Sequence, residues 1–280
     1  MNLAWHLEEY LRVSRMLGKI AAASERRSRV IEKKLKFGAH PQQYVVLHYL
    51  RESVNQKRPI IFFLHGGGWG HGNPGMFRFI GRFFAEAGYP VILGGYRLAP
   101  RYKFPSQLED AYAGLRVGLG LAASRGLETD SVILAGQSAG AQLASLMLFD
   151  RQSLERHGFS QNNFSGLLLV SGLLNFDYCR SWKDQNMLRN YLGKRDHWSR
   201  ADPIHFVQGD ETVPVLCIHG ERDFLVDKAN STTFVSRLNG NREIYLVPGG
   251  YHTDLTRMFL EHLPATEVLL QWLERLDKQL

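Results

Sequence analysis

The 280-residue sequence contains few cysteines and no long apolar run. These two features argue against a disulfide-rich secreted protein and against an integral membrane protein. Two cysteines, Cys179 and Cys217, are too few for a disulfide framework, which favours a reducing compartment. No apolar stretch approaches the ~20 residues of a transmembrane helix. The N-terminal stretch carries Glu8 and Glu9 and lacks the basic start and apolar core of a secretory signal peptide. We therefore expect a cytoplasmic protein without an integral membrane segment.

The sequence also lacks internal repeats, low-complexity tracts and a Pro/Gly-rich linker that would divide the chain. A hydrophobic content of 44% is enough for a sizeable core. Domains of roughly 200 to 250 residues are ordinary for α/β proteins, so these features predict one large domain with additional elements.

The formal charge of +7 is concentrated near the N-terminus. Residues 1–36 contain nine basic and four acidic side chains, a net charge of +5. Such a segment could bind nucleic acid or an anionic membrane surface, or it could be the solvated face of a helix. No interleaved aromatic residues or nucleic-acid-binding signature accompany the charge. We therefore predict a solvated helix face and no nucleic-acid partner.

Predicted strands alternate with predicted helices along most of the chain, which indicates an α/β fold with a mostly parallel sheet covered on both faces. The spacing of apolar residues predicts a helix over residues 3–36. A polar and aromatic segment, residues 175–209, interrupts the alternation, and we expect it to be an insertion over the active site. The predicted strands are Tyr44–Leu50, Pro59–Leu64, Pro90–Gly94, Ser131–Ala135, Leu167–Ser171, Val213–His219 and Glu243–Val247. The predicted helices are Phe77–Ala87, Gln107–Ser124, Ser138–Asp150, Asp184–Leu192, Lys228–Leu238 and Ala265–Lys278.

A Gly-x-Ser-x-Gly pentapeptide joins one of these strands to the following helix. Gly136-Gln137-Ser138-Ala139-Gly140 therefore has the context of a nucleophile elbow, in which Ser138 occupies a strained turn with its hydroxyl exposed to a cleft. Glycine is required at 136 and 140 because the strand and the helix approach too closely for a Cβ. This motif predicts Ser138 as a nucleophile.

A serine nucleophile needs a base and an acid, and in this architecture they follow the serine in the order acid, then histidine. His252 follows a predicted strand in a flexible loop, whereas His262 lies in an apolar run. Asp223 directly follows another buried strand, which is the position expected for the acid. Glu221 is a weaker rival because it lies nearer the strand, and Asp227 fits the start of the next helix.

A glycine-rich segment, His65-Gly66-Gly67-Gly68-Trp69, follows an earlier strand. Consecutive glycines allow backbone N–H groups to face a substrate oxygen without obstruction. We predict that the amides of Gly67, Gly68 and Ala139 form an oxyanion hole, in which each donor is worth ~3 kcal/mol in the transition state. His65 is interpreted as a residue that fixes this loop.

Two patterns that suggest cofactors are discounted. Residues 70–75 match G-x-G-x-x-G, but the next strand runs into Gly94-Gly95-Tyr96-Arg97 instead of ending at the acidic residue of a dinucleotide site. Neither an H-E-x-x-H motif nor a clustered Cys/His pattern indicates a metal. We predict no cofactor and no metal.

Together these residues resemble the α/β-hydrolase superfamily, more narrowly its hormone-sensitive-lipase-like esterases and the feruloyl-esterase-like (BD-FAE-like) and kynurenine-formamidase-like enzymes. Gln137 and Ala141 depart from the lipase-like pattern, which has an acidic residue and a glycine there, and resemble the formamidase and prenylcysteine-methylesterase side. The resemblance implies a scaffold role for Tyr96, Arg97 and Asp110. It spans about residues 44–276, and its further matches are Leu98-Ala99-Pro100 and Phe104-Pro105.

The resemblance implies an α/β-hydrolase fold with a helical cap. We divide the chain into a helical cap segment, 1–40, and a catalytic domain, 41–280, that carries the insertion at about 175–209. The function expected is a serine carboxylesterase acting on small to medium acyl esters. Amide hydrolysis of the kynurenine-formamidase type and a non-catalytic small-ligand receptor are the alternatives, and a homodimer is left open.

Overall fold

The computed structural model describes residues 29–279, which form an eight-stranded sheet with helices on both faces. The strands are β1 (Ile31–Lys36), β2 (Tyr44–Tyr49), β3 (Ile60–Leu64), β4 (Val91–Gly94), β5 (Val132–Gln137), β6 (Phe164–Val170), β7 (Val215–Gly220) and β8 (Arg242–Val247). The helices are α1 (Arg78–Glu86), α2 (Ser106–Ala123), α3 (Ala139–Phe149), α4 (Arg151–Arg156), α5 (Trp182–Leu192), α6 (Ala229–Arg237) and α7 (Pro264–Asp277).

The strand order across the sheet is β1-β2-β4-β3-β5-β6-β7-β8. The two pairings of β2, with β1 and with β4, are antiparallel, and the remaining neighbours are parallel. This arrangement confirms the α/β fold with a mostly parallel sheet. The carboxyl ends of β3, β5 and β7 therefore meet at one edge, where the predicted glycine-rich loop, nucleophile and acid follow their strands.

Two hydrophobic layers cover the sheet, one on each face. The central strand β3 shows how the sequence builds both layers, because Ile60, Phe62 and Leu64 pack into one layer while Ile61 and Phe63 pack into the other. All five side chains are buried. The continuous apolar run that predicted this strand is thus explained by burial on both faces.

The helix predicted over residues 3–36 is wrong at Ile31–Lys36, which forms β1. This segment pairs with β2 in register from Ile31 opposite Tyr49 to Lys36 opposite Tyr44. The hydrogen-bonding edge of β2 outweighs the local helical spacing, a tertiary effect that periodicity does not report. The rest of that predicted helix up to residue 28 lies outside the described residues. The division at residue 40 stays a prediction.

The segment of residues 175–209, called the cap segment below, leaves the sheet after β6 and returns before β7. It contains α5 and short 3₁₀ turns at Phe176–Tyr178, Arg195–Ala201 and Pro203–His205. The amide of Ile204 donates to the carbonyl of Leu174 over 3.0 Å, which ties the two ends of the segment together. Within residues 29–279, no helix is both long and apolar enough to cross a membrane.

Candidate active site

Ser138 lies at the sharp turn between β5 and α3, with backbone angles φ 54° and ψ −119°. A positive φ is unfavourable for a non-glycine residue and persists only where its surroundings fix it. One such restraint is the Ser138 amide, which donates to the carbonyl of Val170 on β6 over 2.8 Å. The strand–turn–helix context predicted for Ser138 is therefore present.

The two flanking glycines are required by close backbone approach. A Cβ on Gly136 would overlap the backbone of Gly140, and a Cβ on Gly140 would overlap the carbonyl oxygen of Leu64 at the end of β3. Backbone atoms cannot swing away as a flexible side chain can. The requirement for glycine at both positions is confirmed, and it brings the start of α3 against the glycine-rich loop.

Asp223 and His252 come from different loops and meet in the structure. Asp223 follows β7 and His252 follows β8, and His252 Nδ1 lies 2.7 Å from Asp223 Oδ2. The other carboxylate oxygen accepts the backbone amides of Leu225 and Val226 over 3.0 and 2.8 Å. Both side chains are buried. The carboxylate is thus held from two sides and fixes the orientation of the imidazole.

The charge state of Asp223 follows from these neighbours. Burial alone would raise its pKa, but the charge of His252 and the hydrogen bonds of His219 and His252 outweigh burial and hold the pKa well below its usual range. Asp223 is therefore ionised at neutral pH. An ionised acceptor at Nδ1 keeps the proton on that nitrogen and leaves His252 Nε2 as the site for accepting a proton.

His219 is a second histidine in contact with the acid, and no sequence motif assigns it a role. It is completely buried on β7, and its Nε2 lies 3.3 Å from Asp223 Oδ2 and 2.9 Å from the carbonyl of Val226. Its Nδ1 lies 2.7 Å from Ser231 Oγ on α6. In the sequence, only its position four residues before Asp223 hints at this contact. Its other partners, Val226 and Ser231, lie seven and twelve residues further along the chain and form no recognisable motif with it.

Gln137 connects His252 to the nucleophile turn. Its amide nitrogen lies 3.3 Å from His252 Nε2, and the amide donates when that ring nitrogen carries no proton. Gln137 precedes Ser138, so this contact brings the imidazole nitrogen to the residue next to the predicted nucleophile. The sequence had marked Gln137 only as a departure from the lipase-like pattern.

The glycine-rich loop after β3 has three consecutive residues with positive φ: Gly67 at 119°, Gly68 at 57° and Trp69 at 59°. The amides of Gly70 and His71 donate to the carbonyl of Gly67 and close a tight turn. Ala139 is the first residue of α3, so its amide has no acceptor within the helix. The predicted oxyanion donors therefore come from two elements, this loop and the start of α3.

The cap segment lies over this loop. A Cβ on Gly68 would come 2.9 Å from the Sδ of Met187 on α5. Met187 also packs against the main hydrophobic cluster. This contact makes Met187 a wall of the space beside Gly68. The role of the insertion as a cap over the active site stays a prediction.

Residues interpreted as scaffold hold the start of the loop. The buried His65 ring stacks on Tyr96 at 4.2 Å and on Phe77 at 5.6 Å, and the Tyr96 hydroxyl donates to the His65 carbonyl over 2.7 Å. Burial lowers the pKa of His65 to about 4, so its ring is neutral. Arg97 binds the buried Asp110 through two nitrogens at 2.8 and 2.9 Å.

The G-x-G-x-x-G match has a packing explanation. A Cβ on Gly72 would lie 2.7 Å from His65 Nδ1, and Asn73 caps a 3₁₀ turn that begins at Pro74. Within the part of the chain that the structure describes, no group of three or more His, Cys, Asp or Glu side chains is placed to hold a metal ion. The absence of cofactor and metal stays a prediction.

Comparisons with known proteins agree with this architecture. A probable isoprenylcysteine alpha-carbonyl methylesterase of Oryza sativa subsp. japonica is 25% identical over 240 residues, which are 78% of this chain and 56% of that protein. Arylacetamide deacetylase of Bos taurus is 31% identical over 139 residues, which are 48% of this chain and 34% of that protein. The chain thus spans little more than half the length of the methylesterase.

The structure resembles that of esterase B from Lactobacillus rhamnosis, with a TM-score of 0.79 and 23% identity over 99% of this chain and 97% of that one. This likeness confirms the α/β-hydrolase fold. A family model described as BD-FAE matches residues 48–238, more than half of the sequence. On this match, and with the resemblance seen in its motifs, the chain belongs to the BD-FAE family.

Proposed function

We propose that this protein is a serine carboxylesterase that hydrolyses small to medium acyl esters through an acyl-enzyme intermediate. The observation that carries the proposal is the 2.7 Å contact between Asp223 and His252, supported by the contact of His252 with Gln137, the residue before the strained turn at Ser138. Membership of the BD-FAE family and the esterase names of the similar proteins support it.

In this mechanism Ser138 Oγ attacks the ester carbonyl while His252 Nε2 takes its proton. The negative charge that develops on the carbonyl oxygen is held by the amides of Gly67, Gly68 and Ala139. The imidazolium is stabilised by ionised Asp223 and then gives its proton to the departing alkoxide, which leaves as the alcohol. Water, deprotonated by His252, attacks the acyl-enzyme, and the carboxylic acid departs as the serine regains its proton.

The direct test replaces the nucleophile. Ser138→Ala should lower kcat on p-nitrophenyl acetate by about 10⁴- to 10⁶-fold, because the proposed acyl-enzyme forms on the Ser138 hydroxyl. The variant should also lose covalent labelling by a fluorophosphonate probe. Ser145→Ala is the matched control, since Ser145 is a buried serine on the same helix whose hydroxyl bonds the Ala141 carbonyl. Retained activity in Ser138→Ala would overturn the assignment.

Assays on one preparation of the wild-type protein distinguish ester hydrolysis from the two alternatives, amide hydrolysis and a non-catalytic receptor. The elbow and the oxyanion donors would serve amides as well, because both reactions pass through a tetrahedral intermediate. Rates on p-nitrophenyl acetate, p-nitroacetanilide and N-formylkynurenine therefore decide between them. A non-catalytic receptor would show no fluorophosphonate labelling at all.

We also propose that the protein acts in the cytoplasm on a small-molecule ester. The support is that Cys179 and Cys217 are both free and buried, as suits a reducing compartment. Fractionation of the source cells, with detection of the chain in the soluble or the membrane fraction, tests this placement. A homodimer stays a prediction that a sedimentation measurement would examine.

A further inference from the structure

We propose that Gln142 is a positioning residue that sets the distance between the two halves of the oxyanion hole. The halves are the glycine-rich loop, residues 65–69, and the start of α3. This inference rests on the proposed function, because it concerns how the same donors are held. It assigns no contact with substrate to Gln142.

The end of the loop is held by the side chain of Trp69. Trp69 is completely buried, although its φ of 59° is unfavourable for a non-glycine residue. Its ring stacks flat on the ring of Tyr191 on α5, with centroids 4.0 Å apart and an angle of 4° between the planes. The stack fixes the loop against the cap segment, but stacking by itself is not directional within the plane of the rings.

The indole N–H adds a directional contact. Trp69 Nε1 donates to Gln142 Oε1 over 3.0 Å, and the Tyr191 hydroxyl donates to the same oxygen over 3.4 Å. Gln142 Nε2 donates to the carbonyl of Ala201 in the cap segment over 2.6 Å. Gln142 is completely buried. One amide side chain thus bonds the loop and the cap segment, through both a donor and an acceptor.

Gln142 lies in the first turn of α3, where its own amide donates to the carbonyl of Ser138 over 3.2 Å. Ala139, which carries the donor on the α3 side, belongs to the same turn. The bond from Gln142 to Trp69 therefore connects the two sets of oxyanion donors directly. Catalysis depends on donors that are fixed before the charge develops, and a misplacement of ~1 Å can cost about 10²-fold in rate.

Two substitutions break this connection from opposite ends. Gln142→Met keeps the length of the side chain and removes its amide, and Trp69→Phe keeps an aromatic ring against Tyr191 and removes the N–H. Each should lower kcat on p-nitrophenyl acetate about 10- to 100-fold with KM changed less than about threefold. Gln142→Met also removes the bonds to Tyr191 and Ala201, so it should be the more impaired single variant. The double variant should be no worse than Gln142→Met, because the only bond that Trp69→Phe removes is already lost in it.

A second measurement reports on the oxyanion donors themselves. A trifluoromethyl ketone adds to the serine and places an oxyanion in the hole, so its inhibition constant should rise by the same factor by which kcat/KM falls. Tyr112→Phe is the matched control, because it removes a buried hydrogen bond to the Met147 carbonyl at the other end of α3. That variant should lose stability and keep kcat.

The inference is overturned if Gln142→Met retains kcat within about twofold of the wild type while Ser138→Ala is inactive. Fully additive effects in the double variant would overturn it as well. If Gln142→Met does not fold, Trp69→Phe and the inhibitor measurement decide. A wild-type protein that hydrolyses no ester would instead overturn the proposed function, and this inference with it.

Discussion

Asp202 is a carboxylate buried in the cap segment, away from the candidate triad. Its Oδ2 accepts the amide of Phe176 over 3.0 Å, while its Oδ1 has no hydrogen-bond partner in the described part of the chain. The Nε2 of the exposed His205 lies 3.7 Å from the same Oδ2. Burial, opposed by the Phe176 amide and aided by the charge of Asp177, raises the pKa of Asp202 to about 7. The folded protein therefore binds a proton here that the unfolded chain releases near pH 4.

This raised pKa predicts a pH-dependent gain from Asp202→Asn. Between about pH 4 and 7 the unfolded state holds fewer protons at this residue, so its contribution to stability falls as the pH rises. The neutral amide removes that loss and still accepts from Phe176. With a folded pKa of about 7, this loss amounts to ~2.7 kcal/mol between pH 5 and pH 8, so Tm of the variant relative to wild type should rise by about 5 to 10 °C more at pH 8 than at pH 5. A difference independent of pH, measured by thermal scans, would contradict the prediction.

At the residue scale, the sequence predicts those site residues that lie within a local motif or directly after a predicted strand. Ser138 lies inside its own pentapeptide, and Asp223 and His252 follow predicted strands, so chain order and strand ends were sufficient to select them. Gln142 could not be selected, because its partners Trp69 and Ala201 lie 73 and 59 positions away. Only the packing of the cap segment on the loop brings these groups together.

Among the helices, α5 begins with a capping motif that is visible in the sequence, and it also contacts the glycine-rich loop of the candidate site. Ser181 and Asp184 form a capping box: the Asp184 amide donates to Ser181 Oγ and the Ser181 amide donates to Asp184 Oδ2, both over 3.1 Å. The same helix carries Met187 over Gly68 and Tyr191 against Trp69. Its stability is therefore coupled to the position of the glycine-rich loop.

Removal of the Ser181 N-cap of α5 should lower both stability and activity. Ser181→Ala is expected to cost about 1 kcal/mol of stability and to lower kcat several-fold, because the first turn of α5 frays. Asp150→Ala is the control, since Asp150 caps α4 by accepting the Ser153 amide over 3.0 Å and α4 carries no predicted site residue. Thermal scans and esterase assays compare them. Equal loss of kcat in both variants would contradict this coupling.

Comparison of the predicted and observed elements shows where local sequence patterns are sufficient to predict a strand or helix. The run Pro59–Leu64 predicted β3 because a strand covered on both faces is apolar throughout. Ile31–Lys36 carries mostly charged side chains, and only its pairing with β2 makes it a strand. The helix α4 was missed because it is a single short extension beyond α3.

At the scale of the whole molecule, the last helix is tied to the first half of the sheet. The buried Tyr89 before β4 donates its hydroxyl to Asp277 Oδ2 over 2.8 Å, and Arg58 Nε lies 3.7 Å from the same oxygen. Asp277 is the last residue of α7. This contact joins residues 188 positions apart and lies outside the candidate site.

Loss of the hydrogen bond between Tyr89 and Asp277 should lower the stability of the protein without changing its catalytic activity. Asp277→Ala leaves the Tyr89 hydroxyl without its partner, which costs about 1 to 3 kcal/mol for a buried group. Tm should fall by about 2 to 4 °C for each kcal/mol, while kcat and KM stay at wild-type values. Tyr89→Phe removes the hydroxyl and leaves the Asp277 carboxylate with Arg58 as a partner, so it should be milder. A fall in kcat at 25 °C would contradict a purely structural role.

The strand β1 has a consequence for how copies of this protein meet. It is one of the two end strands of the sheet among the described residues, and an unpaired strand edge can recruit a strand from another molecule. Lys33, Lys34 and Lys36 are all exposed along it. Mutual repulsion between such edges disfavours continuous sheets across molecules. The positive charge that the sequence concentrates near the N-terminus thus acts, in this strand, as protection against aggregation.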